Sequence, residues 1–467
     1  MGKANAFTAP ITVVNYDEQA LNNTEARTLV DAVAKKDASV WQFGGESNTL
    51  TGLYFRGYQL DARQSGTARL TDQYFRTLSM NLTARGEFET SPVTHNWSTA
   101  FDRVIRQRKT IRGTAAGAGK VEVKANENIA NQLASFKADY PNSWENSANL
   151  DANIKVNSLA LSDTLGFVDN KYRLTLGGRF QTVEYTDKKS QSGDAKRFSP
   201  MLMAAWVPQP DLVVYGNYME DLEPADIKTD DSGETTMAKP RVSRQFEVGV
   251  RKNWGNFVTT LNAFQIKRPG YWRGHTTTKT TKGVTTTLTY GNNSDFARYK
   301  AQGGAAGDEQ GMERNRGIEF NTYANLLNNT LRPTLGLMYL QSTVKEYPNS
   351  RDMLVNGVQV ANPRVIAKAG LEWDTPFAKG LTLNGNVSYF GKSYQDTQKQ
   401  YAFPSYTLID VGARYKTKLG KNTLTVSSSV ENLFNKNYWQ VQRGQYDRSF
   451  AVVGMPRTYW LKAELDF

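Results

Sequence analysis

The chain has 467 residues and no cysteine, which excludes disulfides, zinc–thiolate centres and cysteine nucleophiles. It has two histidines, His95 and His275, 180 positions apart (275 − 95); at that spacing they read as ordinary loop residues and not as a shared metal site. No apolar run approaches the ~18 residues of a membrane-spanning helix. The opening MGKANAFTAP has no apolar stretch of the export-signal kind, so any such signal is expected to have been removed or to lie outside this sequence. Positive charge is in excess, with 57 Lys and Arg against 45 Asp and Glu and a net charge of +12. It forms no concentrated tract, so nucleic acid is not an expected partner. Gly303, Gly304 and Gly307 lack the strand before and helix after that a dinucleotide fold needs. The acidic stretch Glu220, Asp221, Glu223, Asp226, Asp230, Asp231, Glu234 has no twelve-residue calcium-loop spacing and reads as a solvated loop. With two histidines there is no basis for a Ser/His/Asp set, and no catalytic residues or cofactor are expected.

Hydrophobic residues make up only 39% of the chain and mean hydropathy is −0.57. Yet aromatics reach 11%, with 37 glycines, too many for a disordered chain. That combination fits strands in which apolar and polar residues alternate. RTYWLKAELDF at the C-terminus shows it: Tyr459, Leu461, Ala463, Leu465 and Phe467 fall on one side, and Thr458, Trp460, Lys462, Glu464 and Asp466 on the other. Period two is a strand signal. LTLNGNVSYFG repeats it, with Leu381, Leu383, Val387 and Tyr389 against Thr382, Asn384, Asn386 and Ser388.

Fifteen strands are expected, at 76–90, 97–109, 152–167, 172–187, 197–207, 212–220, 242–252, 257–268, 313–326, 331–344, 363–374, 381–391, 405–417, 422–434 and 457–467. The connections alternate in length. SPVTHN, VDNK, PQPD, NWGN, LNNT, TPFAKG and TKLGKN are short; the stretches near 110–150, 188–196, 221–240, 269–312, 346–362, 392–404 and 435–456 are long, polar and glycine-rich. Short turns at one end and long loops at the other, with strands of about ten residues or more, are the pattern of an outer-membrane antiparallel β-barrel; sandwich and propeller are the competing folds, and a soluble sandwich gives no reason for the asymmetry. Apolar side chains then face lipid and polar ones the lumen, so a chain of low mean hydropathy can still span. Fifteen is odd where bacterial barrels are even; either 52–64 adds a strand or the barrel is incomplete.

The first 64 residues differ. LNNTEARTLVDAVAKKDA reads as a helix capped by Asn23 or Thr24 and follows a short strand, ITVVNY. PITVVNYDEQALNNTEARTLVDAVAKKDASVW with LYFRGYQLDARQ resembles the start of a plug domain. YGNYMEDLEP with VSRQFEVGVRKNWG resembles a mid-barrel signature. GMERNRGIEFNTYANL, YTLIDVGARYK, SSSVENLFNKNYW and RTYWLKAELDF resemble a C-terminal one. Together these resemble a TonB-dependent siderophore receptor of the ferrichrome or hydroxamate type, over most of the chain.

The resemblance implies a partial plug at 1–64 and a transmembrane barrel at 65–467. The second half of the plug and roughly seven of a family barrel's 22 strands are missing, whether by internal deletion or by engineering. It implies a monomer in the outer membrane of a Gram-negative cell, contacting lipid and the barrel-assembly machinery. The ligand would be a ferric siderophore, and energy would come through the TonB–ExbB–ExbD complex. Passive pore, haem receptor and outer-membrane enzyme are the competing functions. Ligand-binding candidates are Arg56 in LYFRGYQ and the loop aromatics Tyr271, Trp272, Tyr290, Phe296, Tyr299, Tyr394, Tyr438 and Trp439, with Tyr401, Phe403 and Tyr446 nearby. The competing role for the aromatics is an interfacial girdle, which suits Tyr438 and Trp439; for Arg56 it is a plug–barrel ion pair. Arg179, Arg316 and Arg414 are expected on the lumen wall.

Overall fold

A computed structural model describes residues 65–66, 69–114, 121–122, 149–187, 192–223, 227–229, 235–237, 241–269, 275–281, 284–290, 312–348, 354–443 and 449–466. The plug-like segment and the proposed extra strand at 52–64 lie outside them. Fifteen strands follow one another through one antiparallel sheet. They are β1 (Arg69–Thr90), β2 (Val93–Thr114), β3 (Asn149–Phe167), β4 (Tyr172–Asp187), β5 (Ser192–Gln209), β6 (Leu212–Glu223), β7 (Arg241–Asn253), β8 (Phe257–Pro269), β9 (Met312–Ala324), β10 (Leu331–Pro348), β11 (Val365–Asp374), β12 (Leu381–Phe390), β13 (Tyr406–Leu419), β14 (Asn422–Glu431) and β15 (Thr458–Asp466). Each pairs with its neighbour in sequence, and the path ends at β1 and β15. Leu354–Val358 extends the sheet, pairing with the far end of β10 above the stretch that β11 occupies. All fifteen expected strands are present.

Two local differences have physical reasons. β1 starts earlier than the apolar alternation does, because backbone pairing to β2 runs back to Arg69↔Thr114. Thr90 pairs directly with Val93, so the turn is Ser91–Pro92 alone and His95 lies on a strand and not in a loop. Its Nδ1 is 2.7 Å from Asp163 Oδ2 and its Nε2 2.7 Å from Thr90 Oγ1, with the ring stacked on Phe88 at 4.4 Å.

The short turns share one end of the sheet, the turn end; the long connections share the other, the loop end. Among the described residues, the loop end carries its own hairpins, Ile227–Thr229 with Thr235–Met237, His275–Thr281 with Val284–Tyr290, and Trp439–Arg443 with Ser449–Val453. VDNK and LNNT turn by the same device: Val168, Asp169 and Asn170, and Leu327, Asn328 and Asn329, all have positive φ. Asn and Asp tolerate that region, whereas Val and Leu are strained there. Leu327, at φ 49° and 67% exposed, loses little packing if replaced. Leu327→Asn is expected to raise stability by about 0.5–1 kcal/mol, read as a higher urea midpoint; an unchanged or lower midpoint would contradict the strain argument.

The two faces separate as the alternation predicts. Leu159, Leu161, Phe246, Val248, Ile318, Leu337, Tyr339 and Leu461 are exposed large apolar side chains, all on one face by register. The other face buries Ser158, Gln181, Asn217, Glu247, Arg251, Glu319, Lys368 and Glu372. Burial fails at the ends of the path. Residues 76–90 of β1 are exposed on both faces apart from Gly86, and β15 is exposed throughout after Thr458.

Candidate functional site: the loop end of the inner face

At the loop end the inner face stops being polar. Met338 and Leu340 of β10 and Ile366 of β11 are buried together, with Phe264 of β8 and Phe390 of β12 packed against them. All five point inward, since Met338 opposes Ile366 and Ile366 opposes Phe390. Phe390 stacks on Tyr406 at 5.0 Å and Tyr406 on Tyr438 at 4.6 Å. The Lys368 ammonium lies 5.8 Å from the Phe390 centroid. The result is a ladder of three rings beside an apolar floor, with a cation at its edge. Burial holds the Tyr438 phenol above its ordinary range, helped by the charges of Asp410 and Glu431 and opposed by a backbone bond from Met455.

The motif ENLFNKNYW explains how Tyr438 is positioned. Asn432, buried and at φ 50°, accepts from Lys436 N at 2.7 Å and donates to Lys436 O at 2.9 Å and Met455 O at 3.0 Å. Its own amide donates to Asp410 Oδ1 at 2.8 Å. One asparagine thus ties the stretch after β14 to β13 and to the segment entering β15. Gly454 is required there, because a Cβ would lie 2.1 Å from the Tyr438 ring.

Tyr394 sits in a short hairpin, Ser393–Tyr394 with Ala402–Phe403. Asp396 closes its turn, accepting from the amides of Gln398, Gln400 and Tyr401 at 2.9, 3.1 and 2.8 Å. The hairpin docks on residues 354–362: Ala361 N donates to Tyr394 O at 3.0 Å and Val358 N to Thr397 O at 3.0 Å. The ammonium groups of Lys392 and Lys399 lie 5.4 and 5.9 Å from the Tyr394 centroid.

Of the residues singled out from sequence, Tyr394 and Tyr438 come to the loop end, the first beside two lysines and the second inside the ring ladder. Trp439 pairs with Val453 in its hairpin and is 46% exposed. Tyr290 is opposite His275 in a loop hairpin. Arg56, Tyr271, Trp272, Phe296 and Tyr299 lie outside the described residues. Arg179 and Arg414 face inward as expected. Arg179 borders an open cavity of about 590 Å³ on the inner face of β2–β8, with Ser162, Ser199, Met201, Asp221 and Gln245. Arg414 Nη2 donates to Thr382 Oγ1 at 3.3 Å. Arg316 does not face the lumen. It opposes Gln265 in register, bonds to its Oε1 at 2.7 Å and shares the outer face with Ile318.

Phe390, Tyr406, Lys368 and the apolar trio were missed. LGLMYLQS is apolar at consecutive positions, which signals a strand apolar on both faces, and that was the available clue. Among the described residues no group of His, Cys, Asp or Glu is arranged to hold a metal ion.

A long antiparallel sheet with an apolar outer face, a polar inner face and loops gathered at one end is the architecture of a membrane β-barrel receptor. The chain belongs to the family of TonB-dependent receptor-like β-barrels, whose model matches residues 4–433. It is 25% identical over 443 residues to the ferrichrome receptor FcuA of Yersinia enterocolitica, across 91% of this chain and 53% of that one. It is 24% identical over 279 residues to the ferrioxamine B receptor of Salmonella typhimurium, across 58% and 35%. Its structure is similar to that of BauA, the ferric preacinetobactin receptor of Acinetobacter baumannii, at TM-score 0.64 and 27% identity over 87% of this chain and 56% of that one. The pyoverdine receptor FpvA of Pseudomonas aeruginosa shares the fold at TM-score 0.63 and 16% identity, over 88% and 56%. The chain spans about half the length of FcuA, BauA and FpvA. Members of this family are outer-membrane receptors and not enzymes.

Proposed function

We propose that the chain sits in the outer membrane of a Gram-negative cell, turn end toward the periplasm, and takes up a ferric siderophore of hydroxamate type with energy supplied through TonB. The observation that carries this is the loop end, where the ladder Phe390–Tyr406–Tyr438 packs beside a buried apolar cluster and Tyr394 has two lysines around its ring. A ferric siderophore offers apolar edges for rings and ionised chelating oxygens for ammonium groups. Two curated relatives are named for ferrichrome and ferrioxamine B, both ferric hydroxamates. Residues 1–64 act as the plug in this reading and 65–467 as the wall. In this reading lipid covers the apolar face and the barrel-assembly machinery is the folding partner.

The test is titration of the refolded chain with a ferric trihydroxamate, following tryptophan fluorescence. Saturable quenching is expected, and Tyr394→Ala with Lys399→Ala is expected to weaken it about tenfold or more. Binding of haem but not the trihydroxamate would overturn the ligand class. Steady single-channel conductance without binding would favour a passive pore.

A further inference from the structure

The cavity of about 590 Å³ beside Arg179 is built from two levels of inward residues. Nearer the turn end, Ser162, Gly177, Met201, Met219 and Gln245 oppose one another in turn from β3 to β7. One level toward the loop end, Ala100, Ala160, Arg179 and Ser199 follow from β2 to β5, and Asp221 of β6 opposes Ser243 of β7. Ser199 and Asp221 each lie two positions on the loop side of the opposed pair Met201–Met219. A cation and a carboxylate therefore share one level, on β4 and β6, with a hydroxyl between them. Small side chains make the recess. At Gly177 an added Cβ would come within 3.0 Å of Met201 Cε, so the thioether lies over the glycine and forms a floor with Met219.

The polar groups of this recess are unspent. Ser199 is 4% exposed, and its hydroxyl has no hydrogen-bond partner among the described residues; a buried hydroxyl left unpaired is costly. Among the described residues, neither Arg179 nor Asp221 forms an ion pair or a side-chain hydrogen bond. Glu220 also borders the cavity, but its oxygens are taken by Arg197 at 2.6 Å, Arg244 at 3.2 Å and Tyr218 at 2.7 Å. The free charges of the described lining are thus one of each sign. Their strands are two apart, which sets the backbones about 10 Å from each other. The lining holds no aromatic ring of the kind that would stack on a sugar.

We propose that this recess binds a short dipolar organic molecule, with a carboxylate at one end and an ammonium at the other, such as an ω-amino acid or a small peptide. The carboxylate meets the fork of the Arg179 guanidinium and the ammonium meets Asp221. Ser199 donates to the carboxylate from between them. The methylenes lie on Met201 and Met219, whose soft thioethers adapt to a flexible chain. The recess is separate from the ladder Phe390–Tyr406–Tyr438, so it binds its ligand whether or not the loop end holds a ferric siderophore.

The test is calorimetric titration of the full chain, refolded in detergent, with 6-aminohexanoate, hexanoate and hexylamine. Saturable binding of 6-aminohexanoate is expected, with each singly charged analogue weaker by about tenfold or more. Arg179→Gln and Asp221→Asn should each weaken 6-aminohexanoate by a similar factor. Ala160→Leu, which fills the recess and changes no charge, should remove its binding. All three variants should keep the heat-modifiable gel band of a folded barrel and the wild-type response to ferric trihydroxamate. Hexanoate bound as tightly as 6-aminohexanoate would overturn the dipolar assignment in favour of a simple anion site. Unchanged binding in the folded variants, or no saturable binding by the folded wild type, would overturn the site itself, whatever the chain does with ferric trihydroxamate.

Discussion

Replacing Arg332 by Met is expected to lower the unfolding free energy by about 3–5 kcal/mol, one of the largest single-residue losses this sheet can show. Arg332 lies on the inner face at the turn end of β10. Its Nη1 and Nη2 meet Asp374 Oδ2 and Oδ1 at 2.7 and 2.9 Å, and its Nε lies 3.4 Å from Glu372 Oε2. Thr382 Oγ1 donates to Asp374 Oδ1 at 2.7 Å, and Arg414 follows at Thr382. The two-toothed contact is a geometry that only a guanidinium supplies. Methionine fills similar space but leaves Asp374 and Glu372, two positions apart on the same face of β11, without the cation they share. The cost comes from orphaned charge, so Arg332→Met with Asp374→Asn should recover part of it. Arg332→Lys keeps the charge without the fork and should lose about 1–2 kcal/mol. Urea unfolding in lipid vesicles measures all three. A loss under about 1 kcal/mol for Arg332→Met would show that the network is energetically neutral and only sets alignment.

Tyr406→Ala should act as strongly but locally. Tyr406 is the middle rung, and its removal leaves Phe390 and Tyr438 facing a void. Truncating a large aromatic in a packed site costs about 3–5 kcal/mol. The strands of β12–β14 keep their own ladder, so the loss should fall on the stretch from Asn432 to Arg457, which is docked through Tyr438 and the Asn432 bonds. The expected result is rapid proteolytic cleavage in that stretch, an intact barrel band, and ferric trihydroxamate affinity down about tenfold or more. Tyr406→Phe keeps the stack and should bind as the wild type does. Equal protease resistance in Tyr406→Ala would show that Asn432 alone holds the stretch.

The fold was legible because both of its signals are local. Alternation at period two and turn chemistry such as VDNK and LNNT need only a few adjacent residues, and every strand pairs with the next one along. The loop-end surface was less legible because it depends on which face each strand presents, and neighbours in space are far apart in sequence: Phe264, Met338, Ile366 and Phe390 come from four strands. Arg316 shows the cost of a one-residue slip. In GMERNRGIEF it alternates with Asn315 and Gly317 and shares parity with Ile318 and Phe320, so its neighbours already marked it as outward. ENLFNKNYW was recognisable as a signature, but that Asn432 holds three separate backbone groups became apparent only once Met455, 23 positions on, was brought beside it.

The fifteen-strand path also fixes the direction of its two edges. Neighbouring strands alternate in direction, so the first and fifteenth run the same way, both from the loop end to the turn end. Joined directly, β1 and β15 would make a parallel seam in a sheet whose every other junction in the path is antiparallel. A seam of the same kind as the rest requires an odd number of further strands between them, whether from other parts of this chain or from another copy. The number cannot be zero or two. A count of strands in the closed assembly, by whatever route it closes, should therefore come out even.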